Sequence, residues 1–372
     1  MTAQPESDTY LADQEGGEKS RSPFQRLADT DGWIGQVLPG LVAVFFIVIV
    51  ALAVMAGEGA LMASARSTNL STLEAVLSNT IQRFDDWARD RENDVRVWAQ
   101  DESVVSALEE LSVSPVRGSL ETAPAQQRLR DRLGPWLTEY GYRGYLLISN
   151  NGTTLASVRN SDLAEPAMML DLVNLDRLST AGALLTRPHI VDLVTINPGD
   201  ENGQVDEEIL MYSIAEVHRD GERLGYLALR IDPLGEYAAT FRVGRTGVSG
   251  ETYAIDRTGR LLTETRYGEE FINAGLLAEG HPSMLHVEVR DPGVDVTRGA
   301  IPSRPYAQWP LTVAARNVIE DGRGHNLRGY RDSRGVLVMG AWRWDDVRDI
   351  GVITEIDVID ALAGANQARA VL

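Results

Sequence analysis

Residues 144–158 read GYLLISNNGTTLASV, and residues 251–266 read ETYAIDRTGRLLTETR. Each is a short apolar run, a glycine-ended turn (Asn150-Asn151-Gly152, then Arg257-Thr258-Gly259) and a second run. That order is the signature of a β-hairpin. Shifted by 107 residues, Ile148 falls on Ile255, Gly152 on Gly259, Leu155 on Leu262 and Arg159 on Arg266. A second pair of stretches follows the first. EILMYSIAEVHRDGERLGYLALRID (208–232) and GVLVMGAWRWDDVRDIGVITEID (335–357) are both strand–turn–strand, and both close on Ile-Asp. A module entered by one hairpin and left by another, present twice, explains both pairs.

Upstream the period changes from strands to helices. Leu70, Leu73, Leu77, Phe84, Trp87 and Trp98 recur at helical spacing, which predicts a long helix running to about Leu111. Its stripe suits either a dimer seam or packing on the chain's own sheet. Ser112–Pro124 reads as a break and Ala125–Tyr140 as a second amphipathic helix. Still earlier, Val37–Ala56 carries no charge, and twenty such residues are enough to cross a hydrocarbon core of about 30 Å. Trp33 stands at its entrance, where an indole suits the headgroup layer. Ala63-Ser64-Ala65 has the form of a signal-peptide cleavage site. The long apolar run and the more than thirty residues before it favour an uncleaved anchor. Lys19, Arg21 and Arg26 precede the span and Arg66 follows it, which predicts a cytoplasmic N-terminus.

Composition narrows the chemistry. With 54 Asp+Glu against 35 Lys+Arg among 372 residues, the net charge of −19 argues against a nucleic-acid binder. The absence of cysteine excludes disulfides, thiol catalysis and thiolate metal sites. Lys19 is the sole lysine, so no P-loop or Schiff-base lysine lies in the folded part. His189, His218, His281, His286 and His325 form no His-x-x-x-His pair, and no GxSxG elbow occurs. GRTGVSG (244–250) lacks the ending of a phosphate loop and precedes a strand. The acidic stretches Asp200-Glu201 and Asp206-Glu207-Glu208 lack the alternating order of a calcium loop and read as solvated surface. No catalytic residue, metal or cofactor is expected.

The anchor, the stalk and two tandem sheets resemble the double Cache, PAS-like extracytoplasmic sensor domain of bacterial transmembrane receptors. RVGRTGVSGETYAIDRTGRLLTETR (242–266) and GYRDSRGVLVMGAWRWDDVRDIGVITEID (329–357) carry the resemblance, which covers about Asn69 to Asp357. It implies an α+β fold: a transmembrane helix and a long stalk helix, then two PAS-like antiparallel-sheet modules. The expected divisions are a disordered tail over 1–32, a transmembrane helix over 33–57 and a stalk over 66–112. A membrane-distal module over 113–233, a membrane-proximal module over 234–357 and an exit segment over 358–372 follow.

By the same resemblance the distal module holds a small metabolite such as an amine, carboxylate or amino acid. Amino-acid-sensing members carry Arg-x-Trp-Tyr after the first hairpin, whereas Arg159 here is followed by Asn160-Ser161. By position the ligand-binding candidates are Tyr145, Arg159, Arg187, His189, Asp192, Tyr212 and Asp232. An arginine can fork onto a carboxylate and an aspartate can accept an ammonium. The plain alternatives are core rings for the tyrosines, a strand-end cap for Asp232 and a surface charge for Arg159. The expected partners are a second copy through the stalk and a cytoplasmic output domain, in cis or on another protein. Val358–Leu372 is too short to span again, so the chain reads either as the front of a longer receptor or as a stand-alone binding protein. The alternative from another class is an anchored adaptor that uses the stalk and sheets for assembly.

Overall fold

The computed structural model describes residues 33–192 and 207–371. The tail over 1–32 and the acidic pair Asp200-Glu201 lie outside the described residues. A helix runs Trp33–Ala99. From Val37 to Ala56 every side chain on it is exposed, with Phe45 and Phe46 each 63% uncovered. It is long and apolar enough to cross a membrane. A helix satisfies its own backbone groups, which is what a span in hydrocarbon requires.

Residues 63–371 form one compact unit. Within it the helical stripe is buried at Leu73, Leu77, Thr80, Phe84, Ala88, Val95 and Ala99. The stripe packs on the unit itself: Phe84 meets Tyr237 and Phe241 with ring centroids 5.7 and 5.5 Å away. Full burial of a side chain such as Phe84 contributes about 2–3 kcal/mol. The helix does not continue to Leu111. Asp101 accepts a hydrogen bond from the Ser103 N–H at 2.9 Å and starts a new helix, Glu102–Ser112. An aspartate that caps the next helix ends the previous one at the same point.

The fold is α+β with two antiparallel sheets. The first contains β1 (Tyr142–Ser149), β2 (Thr154–Ser157), β3 (Ala183–Leu185), β4 (His189–Asp192), β5 (Glu207–Arg219) and β6 (Glu222–Ile231). Their order is β2-β1-β6-β5-β3, with β4 also on β5. The predicted entry hairpin is β1–β2, with Leu147 opposite Ala156. The predicted exit hairpin is β5–β6, turned by Asp220 and Gly221 at φ 52° and 86°. Both turn residues are left-handed, as a tight two-residue hairpin needs. The helices Glu102–Ser112 and Pro124–Glu139 cover one face of this sheet. On the other face Leu146, Ile148, Tyr212, Ile214, Tyr226 and Ala228 pack with Ala167, Met169 and Leu178 from the β2–β3 connection.

The second sheet contains β7 (Glu251–Ile255), β8 (Arg323–Arg331), β9 (Leu337–Asp345) and β10 (Ile350–Asp357), in the order β7-β10-β9-β8. Its core joins Tyr253, Ile255, Trp342 and Ile353 with Phe271, Val287 and Val318. The predicted return arm RLLTETR is not a strand here. Leu261 makes an isolated bridge to Ile255, and the Ala254 N–H donates to the Thr263 hydroxyl at 3.1 Å instead of to a ladder carbonyl. A side chain that satisfies the backbone locally competes with pairing, which is why threonine and glutamate shorten this arm.

Candidate ligand site

The face of the first sheet that looks onto the β2–β3 connection is largely apolar; its acids Glu208 and Glu216 are paired with arginines, and one further polar row crosses it. Gly144 on β1 stands opposite Arg230 on β6, and Arg230 opposite Tyr212 on β5. Side chains alternate along a strand, so Arg230 shares its face with Tyr226 and Ala228. It is 3% exposed. Its Nε donates to the Tyr212 hydroxyl at 3.3 Å and its Nη2 to Asp162 Oδ2, also at 3.3 Å. The Ser157 hydroxyl donates to the same carboxylate at 2.5 Å. Nη1 is buried and has no hydrogen-bond partner among the described residues. Leaving a buried donor of a charged group unmade costs about 1–3 kcal/mol or more. A carboxylate oxygen placed there would remove that cost.

A second guanidinium borders the row. Arg159 Nη1 and Nη2 fork onto Glu208 at 3.0 and 3.2 Å. That contact raises the arginine further above its ordinary pKa. Glu208, expected as solvated surface, is thus a paired and half-buried acid. Tyr212 is held at its backbone, where its N–H donates to the Thr186 hydroxyl and its carbonyl accepts the Thr186 N–H, both at 2.8 Å. His189 stacks on the Tyr212 ring at 5.5 Å with 26° between the planes. Burial holds the imidazole below its ordinary pKa, so it is neutral at neutral pH and Nδ1 donates to the Arg187 carbonyl at 3.2 Å. Burial likewise raises the Tyr212 phenol, which stays protonated. The guanidiniums of Arg159 and Arg230 are matched in number by the carboxylates of Glu208 and Asp162, so the row is neutral before any ligand enters, and what it offers an acceptor is the unmet Nη1 donor.

Of the residues singled out in the sequence, Arg159, His189 and Tyr212 come together here. Tyr145 is fully buried one position away from Leu146, on the opposite, helix-covered face, and its hydroxyl has no partner among the described residues. Asp232 caps the turn after β6 by accepting the Leu234 N–H at 2.9 Å, and it pairs with Arg143. Asp192 ends β4; its side chain lies outside the described residues. Arg187 is turned toward the second sheet, 3.3 Å from Asp349. Arg230, Asp162 and Ser157 escaped the sequence reading. The signal was an arginine inside GYLALRID, on the side of the strand that Tyr226 and Ala228 share.

Arg187 belongs to a junction around the β9–β10 turn. Arg257 Nε also reaches Asp349, at 2.8 Å, and Arg177 donates to the Val347 carbonyl. Arg348 forks onto Glu92 of the long helix, with the second contact at 3.4 Å. Glu92 accepts the Leu185 N–H at 3.2 Å as well. A void of about 10 Å³ lies between Phe84, Thr186, Arg187, Met211, Arg348 and Ile350.

No protein-family model matches the chain, and no curated protein matches it. Solved structures similar to it include extracellular sensor and ligand-binding domains. The sensor domain of the V. cholerae histidine kinase DctB is 14% identical with a TM-score of 0.45, covering 79% of this chain and 97% of its own. The ligand-binding domain of the Pseudomonas aeruginosa PAO1 chemoreceptor PctB, in complex with L-Arg, is 13% identical at 0.45, over 82% and 93%. That of the Campylobacter jejuni chemoreceptor Tlp3, with L-norvaline, is 14% identical at 0.42, over 80% and 94%.

Proposed function

We propose that this chain is a membrane-anchored extracytoplasmic sensor of a signalling receptor, and that it takes a carboxylate-bearing small molecule against Arg230. The unpartnered Nη1 of that buried arginine carries the reading. An arginine fork matches the two oxygens of a carboxylate, and a hydroxyl or carbonyl elsewhere on the ligand could meet Tyr212. Charged side chains at Asp162 and Glu208 bar the alternative of a purely apolar ligand.

Tyr212 makes two hydrogen bonds to Thr186, its N–H to the hydroxyl and its carbonyl from the N–H, and Arg187 touches Asp349 one residue before β10 begins. A ligand that draws Arg230 and Tyr212 together would therefore bias the junction, and with it the strand that leads to the C-terminal helices. A ligand can shift such an equilibrium only as far as its affinities for the two states differ. Lys19, Arg21 and Arg26 support a cytoplasmic N-terminus with the sheets on the far side. An output domain, in cis or on a partner, and a second copy complete the reading. The buried stripe of the long helix is occupied within the unit, so a second copy would meet its remaining faces.

The test is a thermal-shift panel on the full chain in nanodiscs, with carboxylates, amines, amino acids and nucleobases. A ligand at a hundred times its Kd stabilises by about 2.7 kcal/mol. In a unit of about 300 residues that raises the midpoint by ~4 °C. A carboxylate should give the shift, Arg230→Met should lose it, and Tyr145→Phe should keep it. A response confined to amines, or one that survives Arg230→Met, would refute the site. Silence from every class would favour an adaptor role.

A further inference from the structure

The second sheet carries its own polar row at the equivalent place. Glu251 on β7 stands directly opposite Glu355 on β10, and Glu355 opposite Gly340 on β9. The two glutamates are 7% and 6% exposed. Like charges directly opposite on neighbouring strands repel. Among the described residues no guanidinium forks onto either of them. Glu355 accepts from the Tyr330 hydroxyl at 2.7 Å and the Tyr253 hydroxyl at 3.0 Å. Glu251 accepts from the Thr265 hydroxyl at 2.8 Å and from the Arg266 N–H at 2.6 Å.

The charged groups around the row do not neutralise it. Asp332, at the end of β8, is buried and held by Arg334, whose Nε donates to it at 2.7 Å. Arg334 divides its charge further, with Asp357 at 2.6 Å and Glu270 at 3.7 Å, and lies 3.6 Å over the Tyr267 ring. Arg266 points its Nη1 at the Gly250 carbonyl, at 2.8 Å. Arg245 acts on Glu251 from a distance, and no hydrogen bond joins them among the described residues. Of the three buried carboxylates, Asp332 alone is held by a guanidinium among the described residues.

We propose that the Glu251–Glu355 pair is a proton-operated latch: while a proton sits on the pair β7 and β10 stay paired up to Glu355, and loss of the proton loosens that end of their ladder. Burial first, then Asp332, pushes Glu355 up to about 8; burial pushes Glu251 up to about 7. Both values lie above the ordinary carboxylate value of about 4.3. The folded state thus binds more protons than the unfolded one over roughly pH 4.3 to 8. Stability from these groups is full below that window and falls as pH rises through it. The phenols of Tyr253 and Tyr330 can both donate and accept, so they tolerate either protonation state.

The test is the thermal midpoint of the full chain in nanodiscs from pH 5 to 9, for wild type, Glu355→Gln and Glu251→Gln. Each proton released lowers the folding constant by up to tenfold per pH unit. The wild type should lose stability from pH 5 up to about 8 and level off above it, Glu355→Gln should flatten the profile and exceed the wild type at pH 9, and Glu251→Gln should flatten it in part. If a variant does not fold, the infrared carbonyl band of a protonated carboxyl decides: present at pH 6 and gone by pH 9 in the wild type. A flat wild-type profile, variants that keep its slope, or no carbonyl band at pH 6 would overturn the latch.

Discussion

Arg348 ties the β9–β10 turn to the long helix, and its removal has a calculable consequence. Its side chain is 8% exposed and that of Glu92 is 13%, so the pair lies largely out of water. Arg348→Met leaves Glu92 buried with the Leu185 N–H as its remaining donor, and Asp85 loses the guanidinium 3.9 Å away. Removing one partner of a buried pair costs about 3–5 kcal/mol, mostly as the stranded charge of the other. Unfolding entropy of about 2.1 cal/mol/K per residue gives ~0.6 kcal/mol/K for this unit. The midpoint should therefore fall by about 5–8 °C. Glu92→Met should cost a similar amount, and the double variant much less than the sum, because two methionines fill the volume with no stranded charge. Circular-dichroism melts of the four chains close the cycle. Additive losses, or a fall under 1 °C for Arg348→Met, would show that the contact holds nothing and that the junction is not a route from the first sheet to β10.

Two other predictions concern the second sheet. Gly259 has φ +83°, and a Cβ there would lie 2.4 Å from Leu311 Cδ2, so Gly259→Val should cost more than about 1 kcal/mol, read from the urea midpoint. Asp360 accepts from the Val248 N–H, the Ser249 N–H and the Ser249 hydroxyl, each at 3.0 Å, and the Ser249 backbone contact is the main cause of its lowered pKa. Its contribution is present above the unfolded carboxylate range and is lost as pH falls through the lowered value. Amide exchange at Val248 and Ser249 should quicken in acid, and Asp360→Asn should quicken it at neutral pH while flattening that acid dependence.

Hairpins were legible because their information is local. Asn150-Asn151-Gly152 and Asp220-Gly221 specify turns, and alternation beside them specifies faces. The stripe from Leu70 to Trp98 was legible as a stripe, but not its partner, since helical spacing says which face is buried and not against what. The candidate site was half legible. Arg159, His189 and Tyr212 were found because they sit near turns or carry rings. Arg230 and Asp162 were not, because their meeting depends on register: Arg230 pairs with Gly144 across β1 and with Tyr212 across β5. The return arm after Gly259 failed for the opposite reason. Its apolar pattern suits a strand, but Thr263 and Glu264 bond nearby backbone, Glu264 accepting the Met284 N–H at 2.9 Å.

The two rows occupy corresponding places in their sheets, β1 and β6 in the first and β7 and β10 in the second. The shift that lays Ile148 on Ile255 lays Gly144 on Glu251, and laying Asp232 on Asp357 puts Arg230 on Glu355. The same two positions on paired strands hold a glycine and an arginine in one sheet and two glutamates in the other. The gap also changes sides. At Gly144 a Cβ would lie 2.6 Å from Val158 Cγ2, so β2 closes that flank and the arginine is left with one free nitrogen. At Gly340 a Cβ would lie 2.2 Å from the Tyr330 hydroxyl, so a phenol fills the flank and is spent on Glu355. One row is built with a donor left over, which suits an anion from outside. The other has acceptors in excess of its close cations, which suits nothing larger than a proton. If that division is right, swapping the pair, as in Glu355→Arg with Glu251→Gly, should abolish the alkaline transition of the second sheet without altering the carboxylate response of the first.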